Sequence, residues 1–271
     1  MQSRRPGRRA GAATLPPVRA PIDTLSAPMF PKDLEWVNVA GLRMDKQLGR
    51  PVLVEFWDFC RSNSLRTLPY VRAWHERYAD AGLRVISAHA GGYPPSREPA
   101  EVRAAVARLG IEHPVVIDTE FGLWRDYGNE AWPARYLFDQ RLALHSMHYG
   151  EGAYDETEAE ICELLGSEPP PFRALRAEDA PGALLAAQTA EQPGPWSGTY
   201  EAGAVWAVLE RTAPADEPPP VIRANGREIT VEHSGAIALA EHERHSAGEL
   251  ELELGDGVIC HAVQFTPGVA G

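Results

Sequence analysis

Cysteine is scarce. Cys60, Cys162 and Cys260 are the three in a chain of 271 residues. They form no closely spaced pair, which makes a disulfide framework improbable. No apolar run reaches the ~18 residues that a membrane-crossing helix requires. The signatures of phosphate loops, zinc peptidases and serine hydrolases are also missing: there is no Gly-rich phosphate loop, no HExxH and no GxSxG. Positive charge is in deficit, with 26 Lys and Arg against 38 Asp and Glu and a net charge of −12. Such a surface repels phosphate and argues against nucleic acid as a partner. What remains is an ordinary globular composition, 44% hydrophobic and 24% charged, long enough for one or two domains.

Charge and proline divide the chain. The first residues carry Arg4, Arg5, Arg8, Arg9 and Arg19, and Ser3-Arg4-Arg5 resembles the start of a twin-arginine signal. The apolar stretch that should follow is broken by Gly11, Thr14, Pro16, Pro17 and Arg19, so residues 1–27 are expected to be a disordered basic tail on a cytoplasmic protein. Residues 168–271 carry a net charge of −10 against −2 for residues 1–167. Between these halves lies Pro169-Pro170-Pro171, which can continue neither a helix nor a sheet. A boundary is therefore expected there, with a linker over residues 169–194 and the halves folding separately. Leu184 to Ala186 within that linker read as a short helix.

The first half alternates strand-like and helix-like segments. Residues 51–57 and 83–89 are apolar runs of the kind that fill buried central strands. Between them Leu65, Leu68, Val71 and Tyr78 recur at helical steps, giving a strand-helix-strand unit. Val102, Ala105, Val106 and Leu109 mark a second helix closed by Gly110. Residues 114–118 are a third strand, 134–139 and 142–149 a hairpin, and 155–165 a terminal helix. This order is α/β with mixed strand directions.

The segment Phe56-Trp57-Asp58-Phe59-Cys60-Arg61-Ser62-Asn63-Ser64 follows a buried strand and opens a helix. It resembles the active-site segment of thioredoxin-fold proteins, in particular the TlpA and DipZ-like branch of the redoxin superfamily. Pro69 stands where that family's active-site helix carries a kinking proline, and Trp132-Pro133 where the family has its cis-proline. The insertion 98–127 is similar to the extra helix-strand segment of TlpA-like members. The resemblance spans residues 28–167 and implies a thioredoxin-like domain, a mixed sheet flanked by helices, over residues 28–168. It also implies a peptide-holding groove lined by Trp57, Trp132 and Pro133.

Aligned on Phe56-Trp57, the resemblance puts Arg61 at the nucleophilic cysteine and Ser64 at the resolving one. Thiol–disulfide exchange needs a thiolate to attack and a second thiol to release the mixed disulfide, and neither residue can serve. Two readings follow. One is a non-redox binding or chaperone-like module for a protein or peptide; the other is a single-cysteine oxidoreductase or peroxidase using Cys60. No cofactor and no metal are expected. His242 and His245 read as part of a solvated acidic loop, and His145 and His148 point to opposite faces of a strand. His89 reads as a core or rim histidine.

The acidic half is β in pattern. Glu249 to Leu254 alternates with period two, the mark of a half-buried strand, and Gly255-Asp256-Gly257 turns it into a strand over 258–265. Asn225-Gly226 is a two-residue hairpin turn between 221–223 and 228–231, and residues 196–209 supply earlier strands. A small all-β sandwich over residues 195–271 is expected, similar to the module that follows the thioredoxin-like domain in DipZ-type proteins. Trp196, Tyr200 and Trp206 are candidates for an aromatic platform holding a small ligand, with core packing as the alternative.

Overall fold

The computed structural model describes residues 25–271 except Ala215; the tail expected over 1–24 lies outside them. Leu25 to Ala27, assigned to that tail, are already paired: Ser26 bridges Ala143, and Ala27 N–H donates to the Leu142 carbonyl at 2.9 Å.

The first half runs β1 (Glu35–Val37), β2 (Val52–Trp57), α1 (Ser62–Tyr78), β3 (Arg84–His89), α2 (Pro99–Arg108), β4 (Val115–Ile117), α3 (Gly122–Asp126), β5 (Ala134–Phe138), β6 (Leu144–Tyr149) and α4 (Tyr154–Leu165). The six strands form one mixed sheet in the order β1-β4-β3-β2-β5-β6. β2, β3 and β4 run parallel, joined by α1 and α2 as crossovers, while β5, β6 and β1 pair antiparallel. Strand alternation explains the two layers. Val52, Val54 and Phe56 face a core closed by Phe30, Met44 and Leu123 of α3, whereas Leu53 faces α1 and α4 through Val71, Trp74, Tyr154 and Ile161.

The second half is β7 (Leu185–Ala186), β8 (Gln192–Pro193), β9 (Gly198–Arg211), β10 (Val221–Ala224), β11 (Arg227–Thr230), β12 (Gly235–Leu250), β13 (Leu252–Glu253), β14 (Val258–Thr266) and β15 (Gly268–Val269). A four-stranded sheet β12-β9-β14-β8 and a three-stranded sheet β11-β10-β13 enclose Tyr200, Val205, Leu209, Ile222, Leu239, Leu250 and Phe265. This is the arrangement of a sandwich. The alternating run 249–254 is split between the two sheets, since the strand crosses from one to the other at Glu251.

Three expectations are corrected. Leu185–Ala186 is a strand paired with β15, not a helix. His242 and His245 stand on β12 rather than in a loop; Glu241 to Ser246 is a register irregularity against β9, so no clean alternation marked it as strand. The proline-rich stretch is not a bare linker. Phe172 stacks on Tyr70, whose hydroxyl accepts the Leu175 N–H and donates to Asp179, both at 2.8 Å, and Arg66 pairs with Glu178 at 3.2 Å.

The two halves also share a core. Val208 of β9 and Ala262 of β14 pack with Trp57, Phe59, Cys60, Val102, Ala105 and Val106. The four-stranded sheet therefore buries its second face on the loop between β2 and α1, so the halves are in packed contact and not joined by the chain alone. A charge contrast between halves reports on their solvent surfaces and leaves the composition of the contact open.

Candidate functional site

The site is built where β2 ends and α1 begins. Asp58, fully buried, organises the turn: Oδ1 accepts the Cys60 N–H and Oδ2 the Gly92 N–H, both at 2.8 Å. Burial raises its pKa, while the backbone donors work against that rise. His89 at the end of β3 stacks on Phe59 and meets Trp57 edge-on. Burial pushes its pKa down to about 3. It is neutral at physiological pH, and its Nε2 accepts the Phe59 N–H at 3.4 Å, so its 3.9 Å approach to Asp58 is a dipolar contact rather than an ion pair.

The first turn of α1 has no side-chain cap from its own N-cap residue, Arg61. Two of its orphan amides are met otherwise. Ser64 N–H donates to Asn63 Oδ1 at 2.8 Å, and Ser62 N–H donates to Oε1 of Gln264 on β14 at 2.9 Å. The same Gln264 amide donates through Nε2 to the Cys60 carbonyl and the Tyr93 hydroxyl, each at 3.2 Å. The second half of the chain thus caps the helix of the first.

Arg61 leaves the helix sideways. Its guanidinium lies over Trp132 at 4.4 Å and Tyr93 at 5.1 Å, with Glu191 at 3.7 Å. Trp132 packs on Trp124 and donates from Nε1 to the Ala90 carbonyl at 2.8 Å, while its own carbonyl accepts Asn63 Nδ2 at 2.6 Å. The Trp132–Pro133 peptide is cis.

The order of strands, the loop at the head of α1, which carries Pro69 within it, and its closure against Trp132-Pro133 on the neighbouring strand can be set beside known proteins. No protein-family model matches the chain. Protein DipZ of Mycobacterium bovis is 34% identical over 138 residues, 50% of this chain and 20% of DipZ, so the match takes in a fifth of that relative. The thiol-disulfide oxidoreductase YkuV of Bacillus subtilis is 24% identical, over 48% of this chain and 87% of its own. A thiol-disulfide isomerase from Corynebacterium glutamicum superposes at a TM-score of 0.48 with 21% identity, over 52% of this chain and 97% of that one. The first half of the chain is thioredoxin-like.

Within this thioredoxin-like half the residues singled out by sequence divide. Arg61, Ser64, Trp132 and Pro133 meet around the head of α1, with Ser64 buried and its Oγ accepting the Asp58 N–H at 3.3 Å. Trp57 does not line a groove: it is fully buried against His89, as its inward position on a central strand dictates. Cys60 is fully buried too. Burial, with the Asp58 carboxylate beside it, pushes its thiol far above the ordinary range. All three cysteines are free: Cys162 sits in the core under α4, and Cys260 faces the sandwich interior.

The aromatic platform is not formed. Tyr200 and Trp196 pack on Phe265 in the sandwich, while Trp206 pairs with Gln264 in register on the sheet and stands outside that core. Among the described residues no group of three His, Cys, Asp or Glu side chains is placed to hold a metal ion, and no helix is long and apolar enough to cross a membrane.

Sequence reading missed Gln264, Tyr93, Glu191 and Thr266. With Arg61, Ser62 and Asn63, and with Glu151 and residues 188–190, most of these line a cleft of about 540 Å³ between α1 and β14.

Proposed function

We propose that this thioredoxin-like protein does not exchange disulfides and works as a binding module for a protein or peptide. On this reading Arg61 and Ser64 stand where related oxidoreductases carry their two redox cysteines. The observation that carries it is the state of Cys60. The one thiol near the head of α1 is buried in a cluster with Val208 and Ala262, held protonated, and unpaired with the two other cysteines, which belong to separate cores. A thiol that is neither ionised nor reachable cannot attack a disulfide.

The edge beside Trp132-Pro133 is also engaged by the protein itself, since Asn63 takes the Trp132 carbonyl and Arg61 covers the indole. Binding is therefore assigned to the open cleft beside α1. Insulin reduction by the full-length chain with dithiothreitol is the direct test. The expected rate is that of dithiothreitol alone. A faster rate that disappears in Cys60→Ser would overturn the reading and establish the single-thiol enzyme.

A further inference from the structure

β14 has β9 along one edge for most of its length, from Val258 to Thr266, but β8 along the other only at Ala262 and Val263. Among the described residues no strand lies along the second edge beyond Val263. The residues that lead into β8 leave the sheet here, and Thr189 instead exchanges hydrogen bonds with the Glu201 backbone at 2.8 and 2.9 Å. The gap between residues 188–191 and Gln264–Pro267 is the cleft described above. Its volume of about 540 Å³ falls within the ~300–1,000 Å³ typical of ligand clefts.

Two buried polar atoms along it have no hydrogen-bond partner among the described residues. One is Thr266 Oγ1, on a residue only 2% exposed, and the other is Arg61 Nε. Strand alternation settles where Thr266 points. Gln264, two residues earlier, reaches α1, whereas Val263 and Phe265 enter the sandwich core; Thr266 therefore faces the α1 side and the cleft. A buried hydroxyl left unpaired destabilises the fold, and a ligand group would relieve it.

The charges choose the ligand. α1 does not offer an anion site here, because its Ser62 amide is taken by Gln264 and two carboxylates, Glu151 and Glu191, stand in the walls. Arg61 is answered by Glu191, while Arg66 is shared by Glu151 and Glu178. Of the charged side chains that line the cleft, Glu151 and Glu191 outnumber Arg61.

We propose, building on the binding-module reading, that this cleft takes an extended basic peptide by strand addition to the free edge of β14. The backbone of Gln264 to Thr266 supplies the ladder bonds, the Thr266 hydroxyl meets a peptide group, and Glu151 and Glu191 meet Lys or Arg side chains. Main-chain bonds give such a mode its affinity and the alternate side chains its selectivity.

The test uses the full-length chain and a fluorescent, end-blocked hexapeptide, Val-Lys-Val-Lys-Val-Lys. Two controls accompany it: the same peptide N-methylated at alternate residues, and Val-Glu-Val-Glu-Val-Glu. The expected result is saturable binding of the lysine peptide, at least tenfold weaker for both controls, with slowed amide exchange at residues 264–266. Thr266→Val should weaken binding about fivefold while leaving unfolding stability equal or higher, because it removes an unpaired hydroxyl. Equal binding of the N-methylated peptide would overturn strand addition. Protection at residues 132–134 instead of 264–266 would overturn the site and leave a binding module standing. No binding of any peptide would overturn the inference, with the non-redox reading then decided separately by insulin reduction.

Discussion

Gln264 and Ser62 are 202 residues apart in the chain and joined by a 2.9 Å hydrogen bond in which the glutamine carboxamide accepts the first amide of α1. Helix caps are ordinarily local, drawn from the residue that precedes the helix. Here the preceding residue is Arg61, which turns away to cover Trp132 and Tyr93, and the cap arrives from the other half of the protein.

Gln264→Ala removes that cap and leaves the Ser62 N–H, the Cys60 carbonyl and the Tyr93 hydroxyl short of a partner. The expected loss is about 2 kcal/mol, the scale of a buried donor stranded without an acceptor. Urea unfolding should show it as a lower midpoint for the whole chain. An unchanged midpoint would mean that the contact between halves contributes nothing.

Gly235→Ala tests the same contact from β12. A Cβ there would lie 3.2 Å from Phe59 Cδ2 and 3.3 Å from its carbonyl, at a φ of +139°. Overpacking and backbone strain together should cost about 1–3 kcal/mol. Besides a lower melting temperature, the variant should admit alkylating reagent to Cys60 faster than the parent does. Wild-type melting and labelling would show that the two halves are not held as described.

Cys60 in the parent should be alkylated by iodoacetamide at least ~100-fold more slowly than in urea between pH 6 and 9. The reasons are that the folded thiol is covered and that its pKa is raised well above the ~8.5 of a free cysteine. Mass spectrometry of the labelled peptide reads this directly. Rapid modification at pH 6 would contradict both the burial and the protonation argued above.

Glu55 gives a pH signature. It is fully buried on β2, accepts the Ser87 hydroxyl at 2.9 Å, and burial raises its pKa to about 7 from 4.5. A carboxyl whose folded pKa is raised stabilises the fold below its unfolded pKa and loses that contribution as pH climbs through the folded value. The parent should therefore lose up to about 3 kcal/mol relative to Glu55→Gln between pH 4.5 and 7, with no further change above. Comparison with the variant is needed because His89 and His113, both lowered to about 3 by burial, act in the opposite direction: their stabilisation is lost as pH falls below ~6.5. A flat difference curve would place Glu55 in contact with solvent.

The elements that sequence made legible are those whose pattern is local. β2, β3 and β4 announce themselves as unbroken apolar runs, α1 by its helical steps, and the β10–β11 hairpin by Asn225-Gly226. β12 did not, because His242 to Ser246 interrupt its alternation, and β1 did not, because Glu35-Trp36-Val37 is not an unbroken apolar run as β4 is. The head of α1 was legible as a motif, but its surroundings were not. Nothing in Val263-Gln264-Phe265-Thr266 says that the glutamine is turned toward a loop 200 residues earlier rather than toward water; that depends on which face of the sheet packs where. Trp57 was misplaced for a related reason, since an aromatic next to an active-site segment reads as groove and as core alike.

A cap supplied from so far along the chain also imposes an order of events during synthesis. Ser62 leaves the ribosome about 200 residues before Gln264, an interval of ~10–40 s at ~5–20 residues per second. Until it closes, the first half can form its sheet and helices, yet the apolar surface of Phe59 and Cys60 awaits β9 and β14. Until then Phe59 and Cys60 lack the strands that cover them, and Cys60 is open to chemistry that the finished molecule excludes.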